Sequence, residues 1–135
     1  MIDEELVERR KDIIFQNLKY LEEKDFEEPD FESVQAVKYS LQEVIEACLD
    51  IANHVIASRE MCRAEEYSEM FEILGDEDIL DEQLADDLSD MAKFRNLLVH
   101  RYGDIENEQL RIILDGELGD IRDYLEQIDQ ELFDS

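Results

Sequence analysis

The sequence predicts an all-α fold: an antiparallel four-helix bundle with one additional short helix, built as a single domain over residues 1–135. Three observations carry this. One proline and four glycines leave too little punctuation for a many-stranded sheet. The long segments are dominated by Glu, Leu, Ala, Gln and Lys, all good helix formers. Apolar residues make up 44% of the chain and recur at steps of three and four, so helix faces can build a core.

The first helix is predicted over 2–23, where Ile2, Leu6, Ile13, Ile14, Leu18 and Leu21 share one side. The turn KDFEEPDF follows, with Pro29 and Asp30 as breakers and Glu32-Ser33 opening the next helix. The second helix, 32–58, has the clearest pattern: Val34, Val37, Leu41, Val44, Cys48, Ile51 and Val55 form an unbroken seam. Such a seam packs along a neighbour at a shallow crossing angle. A shorter helix over 64–74 ends at Gly75, placed for a left-handed cap. In GDEDILDE, Asp78 or Asp81 is the candidate cap of a fourth helix, 81–101, which Gly103 closes. The last helix, 107–133, aligns Leu110, Leu114, Leu118, Ile121, Leu125, Ile128 and Leu132. Gly116 and Gly119 weaken it, and Gly119 marks a candidate close helix approach.

Charge and punctuation exclude several classes. The start MIDEELVERR is charged and periodic, unlike a signal peptide, and no run of about 18 apolar residues exists. A cytoplasmic chain without a membrane span is expected. Cys48 and Cys62 form no CxxC pair and read as buried thiols in a reducing compartment. The formal net charge of −26 reads as a strongly solvated acidic surface suited to a salty cytoplasm, or as a docking face for a basic partner. It opposes broad, non-specific nucleic-acid affinity, and no DNA partner is expected.

Against that background FRNLLVHRY, 94–102, concentrates three basic residues, Arg95, His100 and Arg101. With Arg95 as origin and about 100° per residue, Asn96 and His100 fall near 100° and 140° and Tyr102 near 340°. These four share an arc a little under half the helix, while Arg101 lies off it and Phe94, Leu97 and Leu98 take the opposite side. The seam Leu84, Leu88, Met91 continues through either Phe94 or Arg95. Through Arg95, Leu98 and Tyr102, the arginine sits at the core's edge and requires a partner or an anion. Through Phe94, Arg95 snorkels to water. His100, taken alone, reads as a capping or surface histidine near a helix C-terminus, where an imidazolium is favoured.

FRNLLVHRY resembles the R-x-x-x-x-H-x-Y motif of HepT-type toxins of the HEPN superfamily, here Arg95, His100 and Tyr102, with Asn96 following the arginine as in that pattern. EACLDIANHVIASR (46–59), YSEMFEIL (67–74) and GDIENEQL (103–110) are also similar to this family, and helix order agrees over nearly the whole chain.

The resemblance implies a HEPN-like homodimer in which two motifs face each other across a two-fold axis. It implies a metal-independent ribonuclease that uses no cofactor. His100 is then the general acid–base that helps a ribose 2′-hydroxyl attack the adjacent phosphate. Arg95 holds that phosphate and stabilises charge on its oxygens, and Asn96 supports either group. An MntA-like minimal nucleotidyltransferase antitoxin is the implied partner, adding AMP to the motif tyrosine, here Tyr102. A bulky anion beside Arg95 and His100 blocks the cleft. The competing reading is a non-enzymatic acidic helical dimer that binds the nucleotidyltransferase without cutting RNA. A nuclease calls for a cationic track, for which Arg59, Arg63, Arg95, Arg101 and Arg111 are the candidates.

Other features read as structural. His54 is expected to be a satisfied histidine at a helix surface or interface. Asp86-Asp87 and Glu65-Glu66 read as solvated surface rather than a metal cage. A di-iron bundle is disfavoured because neither His54 nor His100 follows a glutamate by three residues. Tyr20, Tyr39, Tyr67 and Tyr124 read as core or rim aromatics.

Overall fold

The computed structural model describes residues 2–133, which form six α-helices. Four are long: α1 (Glu4–Glu23), α2 (Phe31–Ser58), α4 (Glu82–His100) and α6 (Leu118–Phe133). Two are short, α3 (Tyr67–Asp76) and α5 (Asn107–Gly116), and a 3-10 turn at Tyr102–Asp104 follows α4.

Three aspartates start helices by accepting backbone N–H groups that the first turn leaves unpaired. Asp3 accepts from Leu6, Asp30 from Ser33 and Asp81 from Leu84, at 3.1, 2.8 and 2.9 Å. Asp81 is therefore the cap of α4. Asp78 instead adopts a left-handed backbone, with φ 59°.

Cross-links give the helix directions. Arg10 meets Asp50 and Lys24 meets Ser33, so α1 and α2 are antiparallel. Arg95 meets Glu46 while Tyr102 meets Lys38, so α4 also runs against α2. Lys11 meets Asp129 and Glu22 meets Arg122, which sets α6 against α1. The four long helices thus form the expected antiparallel bundle, with α2 at its centre. The seam from Val37 to Val55 is buried as expected, and Ile45, Leu49, Ala52 and Ile56 bury a second stripe of α2. Across the core Phe71 meets Tyr124 edge to face, with centroids 5.5 Å apart, and the Tyr124 hydroxyl donates to the Cys48 carbonyl at 2.8 Å.

The structure departs from the sequence reading in five places. The last helix breaks at Glu117 into α5 and α6, because Gly116 weakens the backbone where the chain must redirect Leu118 inward. Gly75 lies inside α3 and caps nothing: a β-carbon there would stand 2.7 Å from the Ala85 Cβ, so it marks a close α3–α4 approach. A β-carbon at Gly119 would meet open space, so it marks no such approach. Finally Val7 rather than Leu6 is the fully buried residue of the first turns, and Cys62 is exposed while Cys48 is buried. Among the described residues no helix is long and apolar enough to cross a membrane.

Candidate active site

The C-terminal half of α4 lies along α2, and this placement fixes the motif side chains. Leu84, Leu88, Met91 and Leu98 face the core, and Phe94 packs half-buried at its margin. Arg95 continues that seam on the α2 side, with only 15% of its side chain exposed. It has found a partner within the chain. Nε and Nη2 both donate to Glu46 Oε1, at 3.3 and 3.1 Å. Nη1 reaches Asn96 Oδ1 at 3.4 Å, and the guanidinium lies 4.6 Å from the centroid of the Tyr67 ring. A charge at the core's edge is thereby compensated by one carboxylate and one aromatic face.

Tyr102 falls beyond the end of α4, so the helical projection does not govern it. Its ring packs under the ammonium of Lys38, 4.6 Å from the centroid, and its hydroxyl donates to the Gln35 carbonyl at 3.3 Å. Lys38, itself buried, donates from Nζ to the Tyr102 carbonyl at 2.8 Å. Burial pushes the Tyr102 phenol above its ordinary pKa, keeping it protonated. The anchors of Arg95 and Tyr102 on α2, Glu46 and Gln35, are about 16 Å apart at ~1.5 Å per residue. One chain therefore brings Arg95 to Asn96 but does not bring either to Tyr102.

His100 is the last residue of α4, exposed, and bonded to no other described side chain. Beside it Leu97 and Val99 are also exposed, although Leu97 was expected on the packed side. Glu46, Lys38 and Tyr67 are the site neighbours that sequence reasoning missed. Four of the five candidate arginines are taken up by local partners rather than pooled into a track. Arg59 pairs with Glu131, Arg101 with Asp104, Arg95 with Glu46, and Arg111 with Glu108 and the carbonyls of Phe26 and Glu27. His54 is satisfied as expected, its Nε2 accepting from the Asp3 N–H at 2.8 Å. Among the described residues no three His, Cys, Asp or Glu side chains gather as metal ligands would.

Residues 6–128 match the family model described as Ribonuclease HepT-like. The chain belongs to this family. An mRNA nuclease HepT from Shewanella oneidensis is 28% identical over 102 residues, covering 76% of this chain and 77% of that protein. A tRNA nuclease HepT from Aphanizomenon flos-aquae is 28% identical over 138 residues, covering 97% and 92%. The fold is shared with a Bacillus subtilis cytosolic protein of unknown function, YutE, at TM-score 0.87 and 21% identity over 97% of this chain and 94% of that one. It is also shared with a tri-AMPylated Shewanella oneidensis HEPN toxin in complex with MNT antitoxin, at TM-score 0.85 and 23% identity over 96% and 98%. In this HepT-like chain the motif histidine and asparagine stand exposed on α4, while the motif arginine and tyrosine are held against α2.

Proposed function

We propose that this chain is an RNA-cleaving toxin of a toxin–antitoxin pair, active as a homodimer and silenced by transfer of AMP to Tyr102. The observation that carries the reading is the R-x-x-x-x-H-x-Y set, with Arg95 and His100 on α4 and Tyr102 in the turn after it, in a HepT-like chain whose relatives are named mRNA and tRNA nucleases. The AMP-bearing toxin of similar fold supports the modification.

His100 takes the proton of a ribose 2′-hydroxyl, and the freed oxygen attacks the adjacent phosphorus. The bond from phosphorus to the 5′-oxygen breaks, and that oxygen leaves with a proton from the His100 of a second copy. The product is a 2′,3′-cyclic phosphate and a free 5′-hydroxyl, and the chain's own groups move every proton without a metal. Arg95 neutralises charge on the non-bridging oxygens with planar, bidentate donors. The exposed apolar Leu97 and Val99 beside His100 are the surface that a second copy covers. For silencing, the Tyr102 oxygen attacks the α-phosphorus of ATP, pyrophosphate leaves, and the phenol proton is lost. The hydroxyl must first release Gln35, to which it is bonded at 3.3 Å.

The test is cleavage of RNA by the purified protein in chelator, with His100→Ala as control. Cyclic-phosphate ends from the wild type and none from a folded, dimeric His100→Ala support the reading; equal activity in both removes His100 from the mechanism. A second reading draws on the arginines, most of which are neutralised by local carboxylates: an acidic dimer that binds the nucleotidyltransferase and cuts nothing. AMP incorporation at Tyr102 without any RNA cleavage by the unmodified protein would select it.

A further inference from the structure

Arg95 does not spend its whole donor set inside the chain. Glu46 takes the side-on edge, Nε with Nη2, and Asn96 draws Nη1 only at 3.4 Å. The outer edge of the guanidinium keeps N–H donors for a phosphate. Beside it runs a groove of about 530 Å³ between the start of α3 and the flank of α4. That volume lies within the roughly 300–1,000 Å³ of small-molecule sites.

The groove is polarised by the elements that build it. α4 contributes Lys93 and Asn96, a cation and an amide; the connection before α3 contributes Glu65 and Glu66. Tyr67, the first residue of α3, stands in its lining with 44% of its surface exposed and Arg95 stacked on its ring. A ring in that position offers a surface for a flat, apolar ligand, and the two sides fix how a nucleotide enters. Phosphate is repelled by the carboxylates and drawn to α4, whereas base N–H groups can donate to those carboxylates.

We propose that this groove is a nucleoside subsite. With the scissile phosphate on Arg95, the base of an adjacent nucleotide of single-stranded RNA stacks on Tyr67, and Lys93 contacts a neighbouring phosphate. The inference rests on the ribonuclease reading above and adds where the substrate lies. Because the base must leave its own stack to enter, paired RNA is excluded.

The experiment uses the full chain carrying His100→Ala, so that binding is read without cleavage. Its probes are short single-stranded oligonucleotides with 4-thiouridine placed at each position in turn. A photocrosslink from one position to the peptide containing Tyr67 is expected. Tyr67→Ala weakens binding by about tenfold, Tyr67→Phe retains it, and Lys93→Gln lowers the salt slope by about 0.7. Removing the base at the crosslinking position weakens binding to the parent chain but not to Tyr67→Ala, an interdependence that a purely structural tyrosine does not produce. Crosslinks to other segments, equal losses in both chains, or no binding of the oligonucleotides overturn the subsite. A crosslink at Tyr67 together with a wild type that cuts no RNA upholds the subsite and sinks the ribonuclease reading instead.

Discussion

Arg95 and Glu46 form a side-on pair between α4 and α2, with Nε and Nη2 donating to one carboxylate oxygen at 3.3 and 3.1 Å. Glu46 thus orients the guanidinium and, on the proposed mechanism, competes with phosphate for it. Glu46 is 37% exposed, so solvent screens the pair and its charge contributes only ~0.5–1 kcal/mol. Glu46→Gln keeps an acceptor and removes the competing charge. RNA affinity, measured by fluorescence anisotropy in the His100→Ala background, is expected to tighten roughly two- to fivefold. Unchanged affinity would show that the carboxylate does not compete for the site.

Lys38 is the cation behind Tyr102, donating to its carbonyl and covering its ring. No carboxylate pairs with it among the described residues, so Lys38→Met sheds the desolvation of a buried ammonium while losing one charge-assisted bond. These effects oppose each other, and net stability in urea is expected to change by less than ~1 kcal/mol. The local consequence is larger. Hydrogen exchange in the turn at Tyr102–Asp104 should quicken by about tenfold, because that bond ties the turn to α2. AMP incorporation at Tyr102 should slow in parallel; an unaltered exchange rate would mean that Lys38 does not hold the turn.

What could be read from the sequence follows from where periodicity operates. The seam of α2 and the order of the long helices depend on repeated local spacing, and they appear in the fold as expected. The arc of Arg95, Asn96 and His100 was legible for the same reason. Tyr102 was not, because α4 stops at His100 and the chain then turns toward Lys38. Glu46 and Lys38 carry no local signal: one is an acidic residue among 39, and the other lies beside the seam residue Val37. Only the α2–α4 crossing gives them partners. Gly75 misled because the same residue serves a left-handed cap and a close helix approach.

The α3–α4 approach can be tested by steric exchange. A β-carbon at Gly75 would stand 2.7 Å from the Ala85 Cβ, both on helix backbone that cannot easily yield. Gly75→Ala gains helix propensity of about 1 kcal/mol but forces the helices apart, an overpacking loss of about 1–3 kcal/mol. Net destabilisation in urea is expected. Ala85→Gly removes the opposing methyl, so the double variant should lose less than the sum of the single ones. Strict additivity would show that the two positions do not touch.

A second cluster sets the pH dependence of stability. Glu117 and Asp120 have carboxyls raised above their ordinary pKa, first by desolvation and then by the negative charge of Asp87, with Asp90 acting on Glu117 and Asp123 on Asp120. A carboxyl raised in the folded state binds its proton more readily there than in the unfolded chain. Its stabilisation is full below the unfolded value, about 4, and is lost as pH rises through the folded value. Glu22, Asp30 and Asp81 act in the opposite sense: hydrogen bonds from Arg122, Ser33 and Gln127 respectively lead in lowering their carboxyls, so their contribution fails only in stronger acid. Between these windows, acidification from pH 7 toward about 5 should raise the melting temperature, helped by relief of the repulsion that a net charge of −26 imposes. Asp120→Asn should stabilise the protein at pH 7 by less than ~1 kcal/mol, since the group is partly solvated, and should flatten that rise. A melting temperature that falls steadily from pH 7, equally in both proteins, would mean that the hydrogen-bonded carboxylates outweigh the cluster.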